Sequence, residues 1–333
     1  MRVSVLMPVH NKAPFVKEAI ESVLNGGFQD FEIVCVDDKS TDNSVQVIQG
    51  ISDPRVRLIL MDKNLGPAGA ANRCLDEARG EYLVRLDADD LAVPDRLAKQ
   101  VAYMDAHPEV VASGGHLQLF GARERLWKFP LEHDDCVANL LFGVPVSQGA
   151  SIMRRSVVEQ DALRYDPSWP RVGEDWLFWL RVSRAGRFGN LDEAMTLYRR
   201  GEQNISHGRD KSEDFADLTR RVFAFFELPL SAQQLELHLL AGKIFRKPPD
   251  AAMVRSLRAW LDELLHMNAA RALFPTAAFE RRIAAAWDGL FHFLADRDAG
   301  AALAHMRLSR RWPMDRLMYL GKRRISAILR RHP

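Results

Sequence analysis

Short apolar runs alternate with amphipathic stretches over the first third of the chain. Four of these runs predict buried strands, at residues 3–9, 31–36, 56–60 and 82–86. Between the runs, apolar residues recur every three or four positions, which is typical of helices that bury one face. Strands and helices that alternate at this spacing favour a right-handed, mostly parallel α/β sheet with helices on both faces. The pattern therefore predicts a Rossmann-like α/β fold.

The alternation ends near residue 114, and the pattern then changes twice. A mixed segment follows, with apolar runs that predict strands at 110–113, 116–120, 148–153 and 195–199. After about residue 209, apolar positions recur at helical spacing. We therefore expect one domain at 1–209, with a front half at about 1–113 and a second half at about 114–209, followed by a helical C-terminal region at 210–333.

Composition narrows the class of protein. The 333 residues are 47% hydrophobic and 27% charged, with a net charge of +2, which is ordinary for a soluble protein and does not argue for nucleic-acid binding. No run of about 18 apolar residues predicts a membrane-spanning helix, and the N-terminus lacks the features of a signal peptide. Cys35, Cys74 and Cys136 lack metal-ligand spacing, which favours buried thiols in a reducing compartment. We therefore expect a cytoplasmic protein.

The end of the chain is strongly basic. Residues 307–332 contain nine Arg or Lys and one Asp, interleaved with apolar residues, as in an amphipathic helix that lies on a surface. One hypothesis is that this tail makes a peripheral contact with the anionic inner face of a membrane. The alternative is that the helical region packs on the first domain or forms an oligomer. Nucleic acid is a weaker hypothesis because no known binding module accompanies the charge.

Carboxylates directly follow two of the predicted strands. Asp37 and Asp38 end the second strand, and Asp87, Asp89 and Asp90 end the fourth. Because ligands of α/β proteins bind where the carboxyl ends of parallel strands meet, we expect the two clusters to lie near each other. Acids this close repel one another unless a cation lies among them, which predicts Mg²⁺ or Mn²⁺ completed by phosphate oxygens of a ligand. The alternative is a solvated turn that leads into a helix N-cap.

Five segments, taken in order along the chain, resemble family 2 glycosyltransferases of the GT-A fold. They are Val-Ser-Val-Leu-Met-Pro-Val-His-Asn at 3–11, Val-Asp-Asp-Lys-Ser-Thr-Asp at 36–42, Asn-Leu-Gly-Pro-Ala at 64–68, Leu-Asp-Ala-Asp-Asp at 86–90 and Glu-Asp-Trp-Leu-Phe-Trp-Leu-Arg at 174–181. P-loop and dinucleotide-binding folds are disfavoured because no glycine-rich loop of either kind follows the first strand. The resemblance covers about two-thirds of the chain and implies a GT-A domain whose front half binds a nucleotide and whose second half binds an acceptor.

The resemblance implies inverting transfer of a sugar from a nucleotide diphosphate, usually a UDP-sugar, to a hydroxyl of a glycan or lipid-linked acceptor. Such a reaction belongs to the assembly of cell-surface polysaccharide. In this family the metal stabilises the departing diphosphate. The cofactor implied is therefore a divalent metal, Mn²⁺ or Mg²⁺.

The family motifs assign roles to residues of this sequence. Pro8 and Val9 are expected to line the base through their backbones, and Asp38, helped by Asp37, to hold the uracil. The full set expected at the nucleotide is Pro8, Val9, His10, Asp37, Asp38, Asn64, Gly66, Asp87 and Asp89. The residues expected at the metal are Asp89 and Asp90. Which of Asp87, Asp89 and Asp90 contacts the metal stays open, because the register of this motif varies in the family.

Inverting transfer needs a base that takes the proton of the acceptor hydroxyl. The resemblance implies Asp175 for this role, with Glu174 as the alternate. The competing interpretation is that the two acids only complement the dipole at a helix N-terminus.

The sequence departs from the family at Ser147-Gln148-Gly149, where relatives often show a His, and after the last predicted strand. Many relatives carry a His after a Tyr-Arg strand, whereas Tyr198 and Arg199 are followed by Arg200 and Gly201, with His207 later. Arg199 or Arg200 is then a candidate to neutralise phosphate.

The sequence also leaves two other functions to consider. A sugar-nucleotide nucleotidyltransferase is one alternative function for the chain, but the glycine-rich loop of that class is absent. A non-catalytic nucleotide-sugar-binding module is the other, and the retained acids disfavour it.

Overall fold

The structure is a computed structural model that describes residues 1–122, 124–169, 173–201, 210–244, 248–310 and 313–329. The chain forms two compact units, residues 1–209 and residues 210–333.

Unit 1 is built on a nine-stranded sheet. Its strands are β1 (Val3–Val9), β2 (Phe31–Asp37), β3 (Val56–Leu60), β4 (Tyr82–Arg85), β5 (Leu91–Ala92), β6 (Val110–Gly121), β7 (Arg125–Trp127), β8 (Ile152–Arg154) and β9 (Arg187–Arg200). Their order is β3-β2-β1-β4-β8-β6-β9-β5, and β7 pairs with β6. Six strands run in one direction, and β5, β7 and β8 run against them. The predicted α/β class with a mostly parallel sheet is confirmed.

Seven helices of unit 1 connect the strands and lie around the sheet. They are α1 (Val16–Leu24), α2 (Ser44–Gln49), α3 (Gly66–Glu77), α4 (Arg96–Ala106), α5 (His133–Asn139), α6 (Arg155–Gln160) and α7 (Glu174–Ala185), in the described part of the unit. Apolar residues of α1 and α4, including Ile20 and Met104, pack with those of β1, β2 and β4 in one core cluster. The strands at the centre of the sheet are buried on both faces, which explains why their sequences are continuous apolar runs.

Several predictions for the second half of this unit were wrong. β6 is one strand that includes Gly114 and Gly115. Its pairing with β9 is irregular at these glycines but continues on both sides of them, so the strand does not end there. A Cβ on Gly115 would lie 2.5 Å from the Met195 side chain, so this close approach requires glycine. β9 is longer than the predicted strand at 195–199. Residues Gln148–Ala150 form a 3₁₀ turn, and only Ile152–Arg154 of the predicted strand at 148–153 is extended.

The regular structure of unit 2 is entirely helical in its described residues, as predicted. Its helices are α8 (Ser212–Phe225), α9 (Ala232–Ala241), α10 (Ala251–Arg271), α11 (Thr276–Asp288), α12 (Phe291–Ala295), α13 (Ala299–Ser309) and α14 (Met314–Leu329). Val254, Leu257, Leu261 and Leu264 recur at helical spacing and form the buried side of α10. No described helix is both long and apolar enough to cross a bilayer.

Candidate active site

Strand β1 separates the two acidic clusters at one edge of the sheet. Val9 at the end of β1 pairs with Asp37, and the Asp38 N–H donates to the Val9 carbonyl at 2.8 Å. On the other side of β1, the Leu86 N–H donates to the Leu6 carbonyl at 3.2 Å, so the chain leaves β4 beside the same strand. Because paired strands lie about 4.8 Å apart, the ends of β2 and β4 are about 10 Å apart. The predicted convergence of the two clusters at one edge is therefore found.

The first group, here called the β2 cluster, consists of Asp37, Asp38, His10 and Asn64. Backbone amides hold its carboxylates: Ser40 N–H donates to Asp37 Oδ2 at 3.0 Å, and Leu65 N–H donates to Asp38 Oδ1 at 2.7 Å. The Asp38 carbonyl accepts from Asn64 Nδ2 at 3.0 Å and lies 2.9 Å from His10 Nδ1. Asp37 Oδ1 is buried and has no hydrogen-bond partner among the described residues.

Two further residues predicted at the nucleotide border the β2 cluster. Gly66 begins α3 with a positive φ of 73°, and its N–H donates to Asn64 Oδ1 at 3.2 Å. A Cβ on Gly66 would meet nothing within 4 Å, so glycine is favoured here by the positive φ of the backbone and not by a lack of space. Pro8 is half-buried and Val9 buried at the end of β1.

The second group, here called the β4 cluster, consists of Asp87, Asp89 and Asp90, and cations or backbone amides hold part of it. Asp87 Oδ1 accepts from Arg85 Nη2 at 2.8 Å, and Asp89 Oδ2 accepts from Lys12 Nζ at 2.6 Å. Asp90 Oδ1 accepts from the Arg199 N–H at 2.8 Å. Asp90 Oδ2 is buried without a hydrogen-bond partner in the described structure.

Burial and mutual repulsion make the β4 cluster electrostatically costly. Burial raises the pKa of Asp90 well above its ordinary value, and the charges of Asp87 and Asp89 raise it further. Burial also raises the pKa of Asp89, although Lys12 acts in the opposite direction. Within the described ranges, no three acidic, His or Cys side chains are grouped closely enough to hold a metal by themselves.

Gly149, in the 3₁₀ turn before β8, marks where two oxygens of the β4 cluster converge. A Cβ at this position would lie 3.4 Å from Asp87 Oδ2 and 3.7 Å from Asp90 Oδ2. Both oxygens therefore approach the same point of the backbone, and a side chain there would occupy the space beside them.

Arg96 is a buried cation beneath the β4 cluster that the sequence did not reveal. It is 2% exposed and donates to the Arg85 carbonyl at 2.7 Å, the Gly149 carbonyl at 3.0 Å and Thr196 Oγ1 at 2.9 Å. Burial lowers the pKa of Arg96 to about 9, against the attraction of Asp90 and Asp87, so the side chain stays charged at neutral pH. One arginine on α4 thereby links the strand that leads into the acids, β4, to the 3₁₀ turn at Gly149 and to β9.

Arg199 is placed differently from the phosphate-binding role considered for it. Its Nε donates to the Asp89 carbonyl at 2.9 Å, and its Nη2 lies 2.6 Å from Glu18 Oε2. The guanidinium also lies over the rings of Phe120 and Phe15, at 4.6 and 5.1 Å. Arg199 therefore braces the turn that carries Asp89 and Asp90. His207 lies outside the described residues.

Glu174 and Asp175 occupy the first turn of α7, directly after Gly173, whose φ is 98°. Trp176 anchors this end of the helix, since its Nε1 donates to the Leu140 carbonyl at 2.8 Å. Burial raises the pKa of both acids, and the negative charge of Asp87 raises both as well. The structure thus brings the predicted base and its alternate into the electrostatic field of the β4 cluster. Their position in the first turn of α7 also places both charges at the positive end of the helix dipole.

The mostly parallel sheet, with acids at the ends of β2 and β4, is the arrangement expected of the GT-A class of glycosyltransferases. The model of the family described as "Glycosyl transferase family 2" matches residues 4–161. An uncharacterized glycosyltransferase of Haemophilus influenzae is 30% identical over 239 residues, which cover 67% of this chain and 74% of that protein. The chain therefore belongs to glycosyltransferase family 2, and it is an enzyme of the glycosyltransferase class.

Two further comparisons concern a biosynthetic relative and a solved structure. The succinoglycan biosynthesis protein ExoO of Rhizobium meliloti is 35% identical over 218 residues, covering 61% of this chain and 62% of that protein. Residues 1–349 of TarS from S. aureus, solved in complex with UDP-GlcNAc, superpose with a TM-score of 0.61 at 19% identity, covering 93% of this chain and 92% of that one. At this level of identity the superposition shows the fold.

Proposed function

We propose that this enzyme transfers a sugar from a UDP-sugar to a hydroxyl of a glycan or lipid-linked acceptor, with inversion and with a divalent metal. The observation that carries the proposal is electrostatic: the charge of Asp87 raises the pKa of Glu174 and of Asp175, so a candidate base feels the charge of the carboxylates that would face a pyrophosphate. The β2 cluster would hold the base of the nucleotide on the other side of β1, where the buried Asp37 Oδ1 can accept an N–H.

The carboxylates of the β4 cluster fit a hard divalent cation. Asp90 Oδ2 has no other partner in the described structure, and Asp87 Oδ2 approaches the same point at Gly149. Mg²⁺ in particular is bound by one or two carboxylates together with substrate phosphates, so a site of few protein ligands suits it. We propose Asp90 as one ligand. Asp89 remains the predicted second, although it would have to release Lys12, and Asp87 is the alternative. When bound, the cation would neutralise charge on the departing diphosphate.

Asp175 would accept the proton of the attacking hydroxyl, with Glu174 as the alternate. Its raised pKa suits this role, because a base works best when its pKa lies near the working pH. Gly173 and the anchored Trp176 hold the backbone of the acidic pair at the start of α7, which would keep the base in place while the acceptor approaches. The positive end of the helix dipole would help to keep the pair ionised.

The acceptor is proposed from the relatives. ExoO is named for succinoglycan biosynthesis, which supports a role for this chain in the synthesis of a cell-surface polysaccharide. TarS was solved with UDP-GlcNAc, which supports a UDP-sugar donor. We propose that the enzyme works in the cytoplasm or at the inner face of the membrane, where a lipid-linked acceptor would be presented.

The test is release of UDP from UDP-GlcNAc, UDP-glucose and UDP-galactose, with GDP-mannose as the alternative donor, in Mn²⁺ or Mg²⁺. We expect release from one UDP-sugar that a chelator abolishes. Asp175→Asn should lower turnover by about a thousandfold, within the range for loss of a general base, and change donor affinity by less than about twofold. The anomeric configuration of the product, read by NMR, reports inversion.

Glu159→Gln is the matched control, because Glu159 is an exposed carboxylate on α6 that pairs with Arg155. It should release UDP at the wild-type rate. Full turnover by Asp175→Asn would end the assignment of the base. Release of pyrophosphate in place of UDP would identify nucleotidyl transfer instead.

A further inference from the structure

One side of α14 is an apolar surface that faces solvent. Met314, Leu317 and Met318 are 70%, 37% and 55% exposed, and their spacing of three and four residues places them on one side of the helix. These three residues are here called the outer face of α14. Along the sequence the same spacing continues at Ile325, Ile328 and Leu329.

The opposite side of α14 is held by specific contacts within unit 2. The Tyr319 hydroxyl donates to Asp296 Oδ1 at 2.6 Å, and Arg323 Nη2 donates to the Asp296 carbonyl at 2.9 Å. The Arg316 guanidinium lies over the ring of Phe291 at 5.0 Å. Turning the outer face inward would break these contacts, so the packing of unit 2 itself presents the apolar residues outward.

The charge of unit 2 is concentrated in the same segment. Residues 210–306 contain 12 Arg or Lys and 13 Asp or Glu, whereas residues 307–333 contain nine Arg or Lys and one Asp. Arg307, Arg310 and Lys322 are exposed, the last within α14. A second copy of the chain would bring the same positive charge to an interface, and like charges placed together oppose association. An anionic bilayer surface matches both properties, since it accepts apolar side chains and attracts cations.

We propose that α14 lies flat on an anionic lipid surface, with the outer face among the upper acyl chains and the basic residues at the headgroups. With 16 residues, the helix is about 24 Å long, which suits lying in the interface better than crossing the bilayer. This inference concerns lipid binding and goes beyond the proposed sugar transfer. Lipid binding is measured in an assay that needs no sugar transfer, so a negative result for one proposal does not overturn the other.

The experiment is co-sedimentation of the full chain with phosphatidylcholine vesicles, with and without about 30 mol% phosphatidylglycerol. We expect binding to the anionic vesicles that weakens at about 0.5 M salt, because salt screens the charges. Leu317→Ser combined with Met318→Ser should lower the partition coefficient about tenfold or more. Lys322→Gln should lower it about fivefold.

Leu126→Ser is the matched control, because Leu126 is 40% exposed on β7 of unit 1, and it should bind vesicles like the wild type. Thermal unfolding checks that the double variant is folded; if it is not, Met314→Ser alone must lower binding about threefold or more. Equal binding to neutral and anionic vesicles, or undiminished binding by the apolar variants, would overturn the proposal. The proposal would also be overturned if the wild type were a dimer, the double variant were a monomer and neither protein bound vesicles. That result would assign the outer face of α14 to contact with a second copy of the chain.

Discussion

The two acidic clusters flank one strand and are built in opposite ways. In the β2 cluster, the carboxylates of Asp37 and Asp38 accept backbone N–H groups from the loops that follow β2 and β3. In the β4 cluster, Asp87 and Asp89 are held by Arg85 and Lys12. Each cluster keeps one buried oxygen, on Asp37 and on Asp90, that has no hydrogen-bond partner among the described residues.

The difference shows what each cluster is prepared to bind. In the β2 cluster, backbone amides and the side chain of Asn64 surround Asp37 and Asp38, an environment suited to a ligand that donates an N–H. The β4 cluster gathers negative charge at a cost that a cation would remove, as the raised pKa of Asp90 indicates. The proposed donor, with its base at one strand end and its diphosphate at the next, would need these two different chemistries.

The largest expected effect comes from Asp90→Asn, which keeps an acceptor for the Arg199 N–H but removes the charge. We expect turnover to fall by about a thousandfold and the protein to lose its stabilisation by Mn²⁺. Because burial raises the pKa of Asp90 in the folded state, its charge costs stability above that pKa and nothing well below pH 4. In metal-free buffer at about pH 8, the variant should therefore melt about 2 to 4 °C higher than the wild type.

Asp37→Asn is the matched variant in the other cluster. It should weaken binding of the nucleotide-sugar donor without changing the stabilisation of the protein by Mn²⁺. If both variants lost the response to Mn²⁺ equally, the contrast between the clusters would be wrong.

The next effect is a pH dependence that belongs to the acids on α7. Burial and the charge of Asp87 raise the pKa of Asp175 and of Glu174, and a base must be deprotonated to act. We therefore expect kcat/KM to fall about tenfold as pH is lowered from about 7.5 to about 5.5. Donor affinity, measured by calorimetry over the same range, should change much less. A profile that stays flat down to about pH 5 would show that no such base limits the reaction.

The clusters were predictable from the sequence because the pattern that ends a buried strand is local. Acids directly after an apolar run must emerge at the edge of the sheet. In the structure Asp38 follows the end of β2 beside Val9, and the segment that carries Asp90 leaves β4 beside Leu6. The partners of the acids were not predictable. Lys12 meets Asp89 across 77 positions, and Arg96 meets Gly149 across 53, so no local pattern joins them.

The same limit explains the errors in the second half of unit 1. Gly114 and Gly115 end a strand when only local preference is considered. In the fold, β9 pairs with β6 on both sides of these glycines and carries the strand through. The C-terminal helices were easier, because a stripe such as Val254, Leu257 and Leu261 needs only its own period to be recognised.

A smaller effect should decide whether Asp89 binds metal. Lys12→Met removes the cation that Asp89 Oδ2 contacts at 2.6 Å, and both side chains are largely buried. If Asp89 is a ligand, its freed carboxylate should tighten Mn²⁺ binding about fivefold, measured by calorimetry. If Asp89 is only structural, Mn²⁺ affinity will stay unchanged while the unpaired buried charge destabilises the fold by about 3 kcal/mol. Lys17→Met, which breaks the exposed contact with Glu21, is the control and should do neither.

The smallest effect belongs to the β2 cluster. Asn64 Nδ2 donates to the Asp38 carbonyl at 3.0 Å, and Asn64→Ala removes this link between the loops after β2 and β3, together with the weaker contact that Asn64 Oδ1 accepts from the Gly66 N–H at 3.2 Å. Since a net hydrogen bond contributes about 1 kcal/mol, donor affinity should fall about fivefold, while Mn²⁺ affinity stays as in the wild type. Asn43→Ala is the control, because the exposed Asn43 makes no side-chain cap to α2. A loss of Mn²⁺ affinity as large as the loss of donor affinity would mean that the two clusters act as one site.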